Sequence, residues 1–179
     1  MPDITFYSGR TDCSTSPTTD ETFDFPDGSL DRTELLDYFT NHFGYTTDEV
    51  VALMGAHTMG RNRISNSGYS GQFDATSNAL DNQYYKDMVD DSVTWTNEEI
   101  TRSGKWQFSG VDSSGSDVGT RLNTDLVLAY DLTIADDNSC SCTIGTDCAQ
   151  ADSYDLVAKY AEVCSTVWKF WNFSNKDFT

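Results

Sequence analysis

Apolar residues recur with helical spacing in several stretches of the chain. Val50, Leu53, Met54 and His57 fall at i, i+3, i+4 and i+7, so they share one helix face. Thr46 and Glu49 have the T-x-x-E spacing of a capping box, and Asp48 and Glu49 sit where the positive end of a helix favours acids. The pattern predicts a helix over 47–59. Further helices are expected over 31–42, closed by Gly44, and over 81–90, 124–131 and 152–171. The last carries a stripe of Leu156, Val157, Tyr160, Cys164, Val167, Trp168 and Trp171, which reads as packing. Ser103 to Gly119 is rich in Gly and Ser and reads as a surface loop, with room for one short hairpin around Trp106-Gln107-Phe108. Residues 136–152 read as a second loop. The expected fold class is therefore all-α, and no internal repeat is evident.

Charge narrows the range of partners. The 179 residues amount to one domain and carry a net charge of -18. This is the opposite of a nucleic-acid footprint and equally unsuited to an anionic membrane surface. No stretch is apolar for long enough to span a bilayer. The charge favours solubility and suits cationic small molecules or metal ions, although a solvated acidic surface is the plainer reading. At 37% hydrophobic residues the core is modest for the length, as expected of part of a fold.

The five cysteines are Cys13, Cys140, Cys142, Cys148 and Cys164. Disulfides and an oxidising, secreted setting are the expectation. A zinc site is the rival, but Cys-x-Cys is not its usual spacing and no histidine is nearby. The odd count leaves one cysteine over, and Cys13 could bridge to a partner segment. Asn172-Phe173-Ser174 is a glycosylation sequon, which fits secretion but is common by chance. No signal peptide is visible at Met1.

His57 is the best-placed candidate for chemistry. Gly55 and Ala56 beside it are small, so a flat group could approach the backbone. On spacing alone, a core histidine with a satisfied hydrogen bond is the blander alternative. The wording of Val50-Val51-Ala52-Leu53-Met54-Gly55-Ala56-His57-Thr58-Met59-Gly60-Arg61 adds to this, as do Asn66 to Phe73 and Leu80 to Lys86. Ser8 to Asp12 matches a Gly-Arg-x-Asp segment, Phe25-Pro26-Asp27 a Leu-Pro-Asp stretch, and Arg121 to Asp125 a Leu-x-x-Asp motif. Together, across residues 8–130 and in order, they resemble the plant, fungal and bacterial haem peroxidases. The nearest likeness is to the cytochrome c and ascorbate peroxidases.

The resemblance implies haem b with His57 as the axial iron ligand. It implies Asp125 as the carboxylate that holds the other ring nitrogen, fixes the tautomer and makes the imidazole a stronger donor. Pro26, Leu53, Met54 and Leu122 would line the proximal haem face, and Arg61 or Arg63 could reach a propionate. Phe73 stands where cytochrome c peroxidase has an oxidisable tryptophan. The substitution implies no radical at that position, and small reductants rather than a protein partner. Thr58, Asp74, Thr76, Ala79 and Asp81 match a calcium site of the secreted fungal members. Two carboxylates with threonine and carbonyl oxygens suit that hard ion, and an ordinary acidic loop is the alternative.

The family's distal arginine and histidine have no counterpart here. The only other histidine, His42, precedes the proximal helix. Residues 1–179 are therefore expected to be the proximal, C-terminal part of a haem peroxidase domain. The distal half would come from another chain or an upstream segment, and the 179 residues alone should bind haem poorly. The expected activity is reduction of hydrogen peroxide with oxidation of a small one-electron donor. A non-catalytic structural or binding protein derived from a peroxidase, without haem, is the alternative.

Overall fold

The computed structural model describes residues 25–162, together with Gly9. Chain order among these residues is α1 (Arg32–Phe43), α2 (Thr47–Met54), a 3-10 turn (Gly55–Thr58), β1 (Arg61–Asn62), α3 (Ile64–Ser67), β2 (Gly71–Gln72) and α4 (Gln83–Val89). Then follow β3 (Thr94–Ile100), β4 (Lys105–Val111), β5 (Asp117–Arg121), α5 (Asn123–Leu126), β6 (Tyr130–Asp131), β7 (Ala149–Gln150) and α6 (Tyr154–Glu162). The Ser8–Asp12 segment apart from Gly9, Cys13, Cys164, the sequon and the end of the 152–171 helix lie outside the described residues.

The helices begin where capping chemistry places them. Asp31 and Glu34 cap α1 reciprocally, as Thr46 and Glu49 cap α2. Gly44 closes α1 in the left-handed region at φ 67°. The helix expected over 47–59 tightens into a 3-10 turn from Gly55. The reason is contact: a Cβ on Gly55 would lie 2.1 Å from the Tyr85 hydroxyl, so α4 crosses at this point. The segment expected as a helix over 124–131 is helical only to Leu126 before turning into β6.

The all-α expectation is corrected. Among the described residues three small antiparallel sheets accompany the helices, and the fold is mixed α/β. The largest sheet, β3-β4-β5, occupies most of the supposed loop. β3 and β4 pair from Thr94↔Val111 to Ile100↔Lys105, and β4 pairs with β5 from Phe108↔Arg121. The Gly/Ser content encodes turns between strands. Gly104 and Gly115 take φ 69° and 80°, which glycine reaches without steric cost. Asp112 Oδ1 accepts from the Ser114 and Ser116 amides to build the second turn. Trp95 lies across its partner Gly110, where a Cβ would be 2.6 Å from the indole ring.

The main core joins Leu35, Val50, Val51, Tyr84, Tyr85, Met88, Leu126 and Val157. A second small cluster, Tyr69, Phe73 and Leu122, lies apart from it and beside His57. Cys142 and Cys148 form a disulfide, while Cys140 is a free thiol. No helix among the described residues is long and apolar enough to cross a membrane.

Candidate active site

His57 sits in the 3-10 turn after α2, and Asp125 in the first turn of α5. Sixty-eight residues apart in sequence, they meet with Nδ1 2.7 Å from Asp125 Oδ1. Two more donors converge on this fully buried carboxylate. The Tyr84 hydroxyl donates to Oδ1 at 2.7 Å, and the Leu122 amide donates to Oδ2 at 2.7 Å. Burial alone would raise the Asp125 pKa. His57, by charge and hydrogen bond, outweighs that with help from the Leu122 amide and Arg121, and holds it below the usual carboxylate value. The ionised carboxylate can only accept, so Nδ1 carries a proton, and Nε2 is the ring nitrogen left to bind an incoming group when the imidazole is neutral. Nε2 has no hydrogen-bond partner among the described residues.

Phe73 stacks on the imidazole, with ring centroids 4.1 Å apart and planes 10° from parallel. Tyr84 meets the same ring edge-on at 6.2 Å. The imidazole is thus held by one hydrogen bond, one stacked ring and one edge-on ring. Tyr84 is raised well above the ordinary phenol value by burial and then by Asp125, so it stays protonated and donates throughout the neutral range.

His57 opens onto a cleft of about 470 Å³, walled by Pro26, Met54, Tyr69, Phe73 and Leu122. The Thr124 amide donates to the Gly28 carbonyl at 3.2 Å, which ties the Pro26 segment to α5. Leu53 and Arg61 do not line this cleft: both are surface residues, Leu53 at 37% exposure. Neighbouring Val51, Ala52 and Met54 take the buried sides of α2 and leave Leu53 the open one. Arg63 precedes α3 on the surface. At the cleft edge, Lys105 lies 4.7 Å over the Tyr69 ring and 3.6 Å from Asp27 Oδ2. The buried Asn62 Nδ2 has no partner among the described residues and belongs to the same lining.

The acidic loop folds against the turn that carries His57. Thr58 Oγ1 lies 2.6 Å from Asp74 Oδ2 and 3.0 Å from Asp81 Oδ1. Thr76 Oγ1 lies 3.2 Å from Asp74 Oδ1 and 3.0 Å from Asp81 Oδ2. Thr58 and Asp74 are fully buried. Ala79 is exposed and ties the turn through its amide to the Thr76 carbonyl at 2.7 Å.

The sequence reading missed Tyr84, Asn62, Tyr69 and Lys105. A buried tyrosine needs a partner for its hydroxyl. That was the available signal for Tyr84, but nothing local said the partner would be Asp125. Lys105 was hidden by the reading of β4 as loop.

The profile of the Peroxidase family matches residues 1–146. A Gibberella zeae protein designated a candidate heme-binding peroxidase is 33% identical over 130 residues, covering 73% of this chain and 38% of that protein. A Pyricularia oryzae protein of the same designation is 31% identical over 134 residues, covering 75% and 44%. The mitochondrial cytochrome c peroxidase of Neurospora crassa is 35% identical over 98 residues, covering 52% and 26%. The chain therefore belongs to the haem peroxidase superfamily, in agreement with the resemblance read from its motifs. It spans about two-fifths of the length of the first two relatives.

Proposed function

We propose that this chain forms the proximal side of a haem-dependent peroxidase, with hydrogen peroxide as acceptor and a small one-electron donor as reductant. The observation that carries the reading is the His57–Asp125 contact at 2.7 Å. In the neutral ring it leaves Nε2 as a lone-pair donor at an apolar cleft, which would suit a ligand to haem iron. Pro26, Met54, Phe73 and Leu122 supply an apolar wall for a flat ring. The unpartnered Asn62 amide and Lys105 are donors suited to an acidic edge group. When bound, haem b supplies the redox-active iron at which peroxide is reduced. Asp125 keeps the Nδ1 proton in place and increases the donor strength of the imidazole. Phe73 and Tyr84 restrict the ring plane. The distal acid-base groups are proposed to come from residues outside this sequence. The Cys142–Cys148 disulfide supports placement in an oxidising, secreted compartment.

A Soret band in the native assembly that includes the distal residues, lost in His57→Ala with the fold retained by circular dichroism, is the expected result. A protein with no such band, or a His57→Ala variant that keeps it unshifted, would overturn the reading.

The loop of Thr58, Asp74, Thr76 and Asp81 is proposed to hold calcium, with a carbonyl near Ala79 completing the set. Its support is a proton deficit. Two threonine hydroxyls bring two protons to four contacts with two carboxylates. A hard cation coordinated by these oxygens would offset the charge. Calcium should raise the melting temperature of chelator-treated protein saturably, by mass action on the folded state. Asp74→Asn should abolish that rise. An unchanged melting curve with and without calcium would sink the proposal.

A further inference from the structure

We propose that Tyr84, Tyr85 and Tyr160 form a relay that carries oxidising equivalents from the His57 site to the surface at Asp48, giving the protein a second place to oxidise donors too large for the cleft. The inference rests on the haem peroxidase reading above. Its geometry is independent of that reading. Tyr84 and Tyr85 meet edge-on with centroids 5.1 Å apart, and Tyr85 stacks on Tyr160 at 5.3 Å and 24°. The inner end touches the site, because Tyr84 donates to the same carboxylate oxygen as His57. The outer end reaches solvent through the half-exposed Asp48, whose Oδ1 accepts from the Tyr160 hydroxyl at 3.3 Å.

Proton acceptors separate this row from ordinary aromatic packing. A phenol gives up an electron readily only if its proton can leave at the same time. Burial keeps all three phenols protonated in the neutral range, with Tyr160 pushed up to about 12. Tyr84 has Asp125 as acceptor, and Tyr160 has Asp48. Among the described residues, the acceptors of the Tyr85 hydroxyl are the carbonyls of Val51 and Ala52, which cannot take a proton. Tyr85 therefore passes charge without retaining it, and the two ends are where a radical can rest. Phe73 is the ring stacked on His57 and is much harder to oxidise, so it offers no competing site. Lys159, with Nζ 5.7 Å from the Tyr160 centroid and 3.5 Å from Asp48, disfavours a charged tyrosine cation and so favours the neutral radical.

The step balances as follows. The Tyr160 O–H bond breaks, its proton goes to Asp48, and its electron moves inward through Tyr85 and Tyr84 to the site where hydrogen peroxide is the oxidant. An outside donor returns one electron, and Asp48 returns the proton. Two such electrons, with two protons taken from solvent, reduce one hydrogen peroxide to two waters. The net charge of -18 favours cationic donors at this surface.

The test uses the haem-loaded native protein mixed with stoichiometric peroxide. Radicals are read by rapid-freeze electron paramagnetic resonance and by peptide mapping of a nitroso spin-trap adduct. A tyrosyl signal with an adduct at Tyr160 is expected. Tyr85→Phe should lose the Tyr160 adduct, and Tyr160→Phe should move the radical back to Tyr84. In both variants the Soret band and its response to peroxide should be retained. A responding Soret band with no Tyr160 adduct overturns the relay alone. So does a Tyr160 adduct undiminished in Tyr85→Phe, or a Tyr160→Phe protein with no radical at Tyr84. A protein without a Soret band overturns the haem reading, and the relay falls with it.

Discussion

Asp125→Ala should unfold the protein about 6–20 °C below the wild type. The carboxylate is fully buried and is the acceptor for three donors: the His57 ring, the Tyr84 hydroxyl and the Leu122 amide. Its removal leaves all three without their partner. An unsatisfied buried donor costs on the order of 1–3 kcal/mol, and breaking a buried charged contact about 3–5 kcal/mol, so a loss of about 3–5 kcal/mol is expected. At roughly 2–4 °C per kcal/mol for a chain of this size, thermal melting resolves it easily. Asp125→Asn keeps the volume and one oxygen but turns an amide N–H₂ toward a donor, and should fall between the two. Tyr84→Phe removes a single donor and should lose least.

The pH dependence of the same contact has a definite sign. The folded carboxyl lies below its unfolded value, so its stabilisation is fully present above about pH 3.9. It is lost as pH falls through the lower folded value. The stability difference between wild type and Asp125→Asn should be present at pH 5 and should shrink below about pH 4. A difference that instead grew on acidification would show that Asp125 is not held ionised by its partners.

Gly119→Ala should be almost as damaging, although Gly119 lies on a strand and touches no proposed ligand. Its φ is 112°, a region side chains rarely adopt. A Cβ there would lie 2.6 Å from the Phe73 carbonyl oxygen and 2.8 Å from the Asp74 Cα. These are backbone atoms, which cannot swing aside. Backbone strain of about 1–3 kcal/mol and overpacking of about 1–3 kcal/mol act together, for a loss of about 3 kcal/mol or more. The displaced backbone joins Phe73, which stacks on His57, to Asp74 of the acidic loop. The variant should therefore weaken both the Soret band and the calcium response, beyond its fall in melting temperature. Gly115→Ala is the control. Its φ is 80° and nothing lies within 4 Å, so it carries strain alone and should cost about 1–3 kcal/mol. Equal melting temperatures for the two variants would show that β5 does not buttress the site.

Such a buttress could not be read from the chain. Gly119 appeared as one more small residue in a Gly/Ser-rich stretch, and the three-stranded sheet around it went unrecognised. Hairpin turns and flexible loops draw on the same residues, and only the pairing of Thr94–Ile100 with Lys105–Val111 separates them. Strand pairing is non-local and leaves a weaker local mark than helix capping. Arg121 shows the same limit. Within the resemblance it was one letter beside a motif. In the fold it is fully buried between the Tyr84 and Trp95 rings, donating to the Phe73 and Tyr84 carbonyls. It thereby fixes the backbone on both sides of the imidazole.

The sequence by itself determined the starts of α1 and α2 and the spacing of the acidic loop. Each depends on residues within one or two helical turns of each other, where capping, periodicity and side-chain chemistry act directly. Motif order added Asp125 as the distant partner of His57. Tertiary structure alone decided that Tyr84 shares that carboxylate, that Leu53 and Arg61 face outward, and that a sheet supports the Phe73–Asp74 backbone. These arrangements follow from how separate elements cross, and the crossing is set by the close packing of the whole interior.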